Sequence, residues 1–170
     1  MKHMENTLRL VFWELTKRCN LRCVHCRAEA LDRGFEGEMT TDEARRVLDD
    51  IASFSSPIVV LTGGEPLMRA DIFDIARYAK EKKLRTALAT NGTLIDAAIA
   101  GMIKDAGIQR VSISLDGKNE SSHDGFRGVA GSFRSAMNGA RLLREHGLYE
   151  MPGGPSIFCP RTKMNGGLWG

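Results

Sequence analysis

Along this chain short apolar runs alternate with amphipathic stretches, and the alternation predicts the elements. Residues 8–16 (LRLVFWELT) are almost continuously apolar, with β-branched and aromatic members, which predicts a strand buried on both faces. A polar, cysteine-bearing stretch follows at 17–38. Thr40 with Glu43 three residues on reads as a capping box, and behind it Ala44, Val47, Leu48, Ile51 and Ala52 recur at helical spacing. Residues 57–61 (PIVVL) predict a second buried strand, ending in Gly63-Gly64. Asp71 is the expected N-cap of a helix with the stripe Ile72, Ile75, Ala76 and Ala79. A third strand at 84–89 turns at Asn91-Gly92. The next helix, from about residue 95, places Ala98, Ile99, Met102 and Ile103 inward and stops at Gly107. Residues 109–115 (QRVSISL) predict a fourth strand, and Ser132 caps a last helix through Phe133, Met137, Ala140 and Leu143 to Gly147.

Strand then helix, four times over, predicts βαβ units and a parallel sheet. Such a sheet gathers ligands beyond the carboxyl ends of its strands. Every candidate segment falls at one of those ends: cysteines after the first strand, GGEP after the second, Thr90-Asn91-Gly92 after the third, Asp116-Gly117 after the fourth. The rhythm then breaks. A fifth strand is due near residue 149, yet 149–170 (YEMPGGPSIFCPRTKMNGGLWG) holds three of the five prolines and five of the 18 glycines, and reads as an irregular tail.

Composition narrows the class. The 170 residues, 42% hydrophobic and 26% charged, suffice for one domain with its own core and without disulfide staples. A net charge of +3 is too mild to point to nucleic acid. No apolar run approaches the roughly 20 residues of a membrane span. The opening MKHMENT has no signal-peptide core. The expectation is a cytoplasmic protein with no membrane and no nucleic-acid partner.

Cys19, Cys23 and Cys26 stand as C-x3-C-x2-C, written CNLRCVHC. In a cytosolic chain, clustered thiols point to metal before disulfides. Three thiolates from one loop can ligate three irons of a [4Fe-4S] cluster and leave the fourth open, as a catalytic metal requires. The neighbouring Lys17, Arg18, Arg22 and Arg27 either lower thiolate pKa values and offset the cluster's charge, or simply solvate the loop. Structural zinc is the competing reading. It needs four closed ligands, commonly two separated pairs, whereas here one triplet stands with His25 inside it and Cys159 far away.

These residues resemble those of the radical S-adenosylmethionine (SAM) enzymes. The resemblance rests on CNLRCVHC, on GGEP at 63–66, on SISLDG at 112–117 and on HDGFRG at 123–128, and runs over about residues 8–148. It implies an α/β fold, a partial (βα) barrel with parallel strands, of which about four of six βα units are present. It also implies that Cys19, Cys23 and Cys26 hold the cluster. Gly63, Gly64 and Glu65 then receive the amino group of SAM, the glycines by letting carbonyls approach closely. Ser112 and Ser114, on one face of a strand, approach its ribose or carboxylate, and Arg127 grips the carboxylate bidentately. His25 stands where the family places an aromatic ring near the adenine, and Asn91 joins the adenosine site. Plain readings stay open for GGEP, Asn91, His123 and Arg127: a strand-to-helix turn, Asn-Gly turn chemistry, a loop histidine and a surface arginine.

The implied chemistry is reductive cleavage of SAM to a 5′-deoxyadenosyl radical that abstracts a substrate hydrogen, the electron coming from a low-potential donor such as flavodoxin or ferredoxin. No residue is assigned as a substrate acid or base. WELTKRCNLRCVHCRAEA with SISLDG and HDGFRG is most similar to the branch carrying a C-terminal auxiliary-cluster (SPASM-type) domain. Trp13-Glu14 and Arg27-Ala28 resemble enzymes acting on haem precursors in the siroheme-dependent route, with peptide-modifying maturases as close competitors. The implied substrate is therefore porphyrin-type or peptide. Against the family pattern the fifth and sixth strands and the auxiliary domain are missing. Residues 1–148 read as the N-terminal part of the core and 149–170 as a tail outside the native frame. An inactive cluster-binding fragment and a zinc-binding module are the alternatives.

Overall fold

The computed structural model describes residues 8–148; the tail, with Cys159, lies outside them. Strands β1 (Leu10–Glu14), β2 (Ile58–Thr62), β3 (Arg85–Thr90) and β4 (Arg110–Ile113) form one parallel sheet in sequence order. Helices α1 (Thr41–Phe54), α2 (Ile72–Glu81) and α3 (Ala97–Asp105) join successive strands, and α4 (Glu120–Arg127) and α5 (Ser132–Glu145) follow β4.

Register divides the sheet into two faces. Trp13, Leu61, Leu88 and Val111 stand side by side across the four strands. They join one core with Leu48, Ile75, Ile103 and Leu143 from the helices. The adjacent row, Phe12, Val60, Ala87 and Arg110, points to the opposite face and lies outside that core. β1 therefore departs from the expectation of burial on both faces: it is an edge strand alternating exposed and half-buried residues, and Phe12 is 69% exposed. A strand paired on one side and covered on one face has no means of burying both.

Local signals were read well where the cap was local. The Thr40–Glu43 capping box forms, with the Glu43 amide donating to Thr40 Oγ1 and the Thr40 amide to Glu43 Oε2. Asp71 sits at the N-cap of α2 but makes no capping bond, because Arg69 and Thr41 donate to its carboxylate instead. In α3 the inward residues are Ala100 and Ile103, while Ala98 and Met102 face out. The reason is that Ile95 belongs to the preceding turn, the cap being Asp96, whose carboxylate accepts from the Ile99 amide. α5 starts after Gly131 rather than being capped by Ser132, and it buries Ala136, Gly139 and Leu143 while Met137 is exposed. α4 was not expected: HDGFR is helical, entered through a reciprocal Asn119–Ser122 cap.

Arg69, nearly buried, ties these pieces together. Its guanidinium donates to the Leu15 carbonyl at 2.9 Å, the Met39 carbonyl at 2.7 Å and the Asp71 carboxylate at 2.7 Å. It joins the exit of β1 to the entries of α1 and α2, which fixes both ends of the cysteine-bearing connection.

Candidate functional site

That connection lies across the carboxyl ends of the strands and is clamped from both sides. On one side the Gly64 amide donates to Thr16 O at 2.8 Å and the Glu65 amide to Arg18 O at 2.7 Å. On the other, the amides of Arg22 and Val24 donate to the carbonyls of Arg127 and Phe126, each at 3.0 Å. Between them Asn91 Nδ2 donates to Asn20 Oδ1, and Asn20 Nδ2 to Thr93 Oγ1, both at 2.8 Å. Glycine is what lets the backbones meet. A Cβ on Gly64 would lie 2.3 Å from Arg18 O, and one on Gly128, at φ +69°, 2.4 Å from Arg22 O.

Cys19, Cys23 and Cys26 are free thiols, the first buried and the others half-buried. Each sulfur accepts a hydrogen bond: Cys19 from the Leu21 amide at 3.4 Å, Cys26 from the Ala30 amide at 3.3 Å, and Cys23 from Arg127 Nη1 at 3.5 Å. Burial pushes the Cys19 thiol up, the Leu21 amide opposing and the Glu65 carboxylate adding to the rise. This corrects the expectation that the loop cations lower it. Three of the four cations are engaged elsewhere, Lys17 over the Phe35 ring, Arg18 toward Asp32 and Arg27 on Glu14 at 2.6 Å.

A cavity of about 460 Å³ opens beside the sulfurs. Its walls include Cys19, Cys23, Cys26, His25, Gly63, Gly64, Asn91, Ser114 and Arg127. Most of the expected site residues are thus brought together. Two are not. Ser112 lies within β4, paired with Ala89, and does not line the cavity. Glu65 is fully buried behind it. Its Oε1 accepts from Thr90 Oγ1 at 2.7 Å and the Leu67 amide at 3.1 Å, and its Oε2 from the Asn91 amide at 2.8 Å. Burial raises its pKa against those three donors. Glu65 is a latch between the ends of β2 and β3.

The wall opposite is built by β4 and α4. Arg127 Nη2 lies 2.5 Å from Asp116 Oδ2 and donates to Ser114 O at 3.1 Å, with both ionic side chains nearly buried. His123 is no loop histidine: it is 1% exposed, and its Nδ1 accepts the Asp116 amide at 3.1 Å. An Nδ1 that accepts an amide carries no proton, which leaves the ring's proton on Nε2; burial, then the Arg127 cation, holds the imidazole below its ordinary pKa. Asp124, which sequence reading passed over, accepts from the Gly131 and Phe133 amides and the Ser132 hydroxyl, and so caps α5 from α4. The Asn119 and Ser122 spacing was the one available signal for this helix. His25 rests at 5.8 Å from the Phe126 ring on the cavity rim.

Among the described residues no three Cys, His, Asp or Glu side chains converge as ligands of a single ion do. Thiolates that each hold a separate iron of a cluster need no such common focus. Amides and a guanidinium already aimed at the sulfurs suit thiolate ligands. The cavity lies in the size range of small-molecule and cofactor sites. No helix of the described residues is long and apolar enough to cross a membrane.

Comparison with known proteins agrees with this geometry. Residues 13–157 match the radical SAM superfamily. The chain is 49% identical over 142 residues to an AdoMet-dependent heme synthase of Methanosarcina barkeri, a match covering 84% of this chain and 41% of that protein. It is 37% identical over 136 residues to a PqqA peptide cyclase of Rhodopseudomonas palustris, covering 79% of this chain and 36% of that one. Among solved structures, native anSMEcpe with bound AdoMet superposes with a TM-score of 0.68 at 23% identity, over 82% of this chain and 41% of that chain. This last likeness bears out the α/β partial-barrel fold. The chain spans less than half the length of these relatives.

Proposed function

The chain belongs to the radical SAM superfamily, and on that footing we propose that residues 1–148 are the N-terminal part of a SAM-dependent enzyme core acting on a haem precursor. One observation carries the reading: three free cysteines, the Gly63-Gly64 backbone, Asn91, Ser114 and Arg127 line a single cavity at the strand ends. Cys19, Cys23 and Cys26 hold a [4Fe-4S] cluster, and the remaining wall residues orient SAM. Held by these residues, a cluster and SAM would supply one-electron reductive chemistry at the sulfonium and hydrogen abstraction from substrate.

The chain's own residues do the rest. The Leu21 and Ala30 amides and the Arg127 guanidinium stabilise negative charge on the three sulfurs. Glu65 fixes the ends of β2 and β3 from behind, so that the Asn91 side chain reaches the cysteine loop. Glu14 and Arg27 form an ion pair on the rim of the same cavity, where substrate enters. A porphyrin-type substrate is favoured over a peptide because the likeness to a heme synthase is stronger than that to a peptide cyclase. A low-potential flavodoxin or ferredoxin supplies the electron.

Anaerobic reconstitution tests the proposal. Roughly four irons per chain, lost on Cys23→Ala, and an EPR signal of the reduced cluster that changes on adding SAM support it. Zinc retained in place of iron sinks it, and iron without any response to SAM reduces the chain to a cluster-binding fragment.

A further inference from the structure

The wall formed by β4 and α4 holds a buried arrangement that SAM binding alone does not explain. His123 and Arg127 are four residues apart on α4 and so share one face of the helix. From that face His123 accepts the Asp116 backbone amide, while Arg127 meets the Asp116 carboxylate and, with its other terminal nitrogen, Cys23 Sγ. One residue at the end of β4 is therefore held twice by α4, through its main chain and its side chain. The imidazole is an expensive way to fill this space. Its ring stacks edge-on against Phe133 at 5.5 Å, which an aromatic hydrocarbon would do as well. With Nδ1 used as acceptor, its Nε2 proton meets no hydrogen-bond partner among the described residues. What histidine supplies and phenylalanine lacks is the acceptor for Asp116.

We propose that His123 is a positioning residue for the cluster: by accepting the Asp116 amide it fixes α4 against the end of β4 and thereby holds the Arg127 guanidinium on Cys23 Sγ. The inference rests on the reading of Cys23 as a cluster ligand. A cation donating to a ligand sulfur favours the reduced, more negative form of a cluster, and hydrogen bonds to sulfur are among the levers that set cluster potentials. Loosening Arg127 therefore moves the reduction potential down. The effect is transmitted, since His123 itself touches none of the three sulfurs through any contact described above.

The test compares wild type, His123→Phe, which keeps a ring without the acceptor, and His123→Asn, whose Oδ1 takes the place of Nδ1. Each chain is reconstituted anaerobically and its cluster titrated by EPR without SAM. The expected result is equal iron in all three, a more negative potential in His123→Phe, and the wild-type potential in His123→Asn. Equal potentials in all three overturn the proposal, as does a shift in His123→Asn as large as that in His123→Phe. Iron-free chains give an independent readout by NMR: exchange of the Asp116 amide and Arg127 guanidinium protons with water is expected to quicken about tenfold or more in His123→Phe alone. Should wild type take up no iron, the cluster reading falls, and this exchange measurement decides by itself whether His123 positions Arg127. His123→Leu replaces the phenylalanine variant if the larger ring is not accommodated. Failure of both to fold while His123→Asn folds makes the histidine a residue of the fold alone and overturns the proposal.

Discussion

Substituting Gly64 by alanine is the most direct perturbation of the way this chain presents its cysteines. The new Cβ lies 2.3 Å from Arg18 O and 2.9 Å from Lys17 O, both backbone atoms just before Cys19. Relieving that contact to an ordinary separation of about 3.5 Å requires the loop to withdraw by about 1 Å. Overpacking of this kind costs about 1–3 kcal/mol. Withdrawal also stretches two hydrogen bonds across the contact, Gly64 N to Thr16 O and Glu65 N to Arg18 O, each contributing about 0.5–1.5 kcal/mol net. The expected loss is about 2–6 kcal/mol, which at a urea slope of about 2 kcal/mol/M is a fall in the midpoint of the iron-free chain by roughly 1–3 M. Iron uptake on reconstitution is expected to fall with it. Gly101→Ala is the control, because nothing lies within 4 Å of a Cβ there and the site is inside α3. It is expected to gain roughly 0.5–1 kcal/mol with unchanged iron uptake. If Gly64→Ala melts like wild type and binds iron as well, the idea that this glycine exists to let the loop approach is refuted.

Three further substitutions probe the supports of the site. Glu65→Ala removes the acceptor of three donors in a fully buried position and is expected to lose about 3–5 kcal/mol by urea unfolding. Arg69→Ala leaves Asp71 unpaired and the Leu15 and Met39 carbonyls unsatisfied; a loss of about 2–4 kcal/mol is expected, discounted because Asp71 is partly exposed. Asp124 sets a pH dependence. Burial alone would raise its pKa, but the Phe133 amide, the Ser132 hydroxyl and the Gly131 amide together outweigh this and hold it below the ordinary value. Its contribution is therefore fully present above the unfolded aspartate pKa of about 3.9 and disappears as pH falls through the lower folded value. The difference in urea midpoint between wild type and Asp124→Asn is expected to shrink on acidification below about pH 4, and a difference that grows instead would contradict the assignment.

Legibility in the sequence followed the range of the interactions. Four strands in order, the Thr40–Glu43 cap and the stop at Gly107 were readable because each depends on residues within a few positions of one another. Burial of β1 was misread because an apolar run does not say whether its strand will be central or at an edge. The phases of α3 and α5 slipped because Ile95 and Ser132 satisfy helical spacing while Ile95 belongs to the preceding turn and Ser132 to the first turn of α5, where its hydroxyl donates to Asp124. Asp71 looked like a cap and is one by position, but Arg69 outcompetes the helix amides for its carboxylate. At the site, residue types at motif positions located the cavity, and nine of the expected residues line it. Their individual tasks were less visible. Glu65 has the right chemistry to face a cation, yet of its three donors only the Leu67 amide is local; Thr90 at the end of β3 and Asn91 just after it lie 25 and 26 residues away, beyond any local pattern.

The long range of these contacts has a consequence for how the site is made. In small metal modules the ligands are scattered until the ion gathers them, so that metal affinity and folding are one event. Here Cys19, Cys23 and Cys26 sit on a loop whose backbone is bonded to the ends of β2 and α4 and whose Asn20 side chain is bonded to the turn after β3. The same segments supply the opposite walls of the cavity. Sulfur placement is thus a property of the folded sheet. The motifs GGEP, TNG and FRG act first as a cradle for the chain's own cysteine loop, and only the surfaces left over face a ligand. That division explains why two glycines, Gly64 and Gly128, meet the loop's backbone more closely than any side chain could. It also explains why a fully buried glutamate stands inside a motif that reads, residue by residue, as a binding loop.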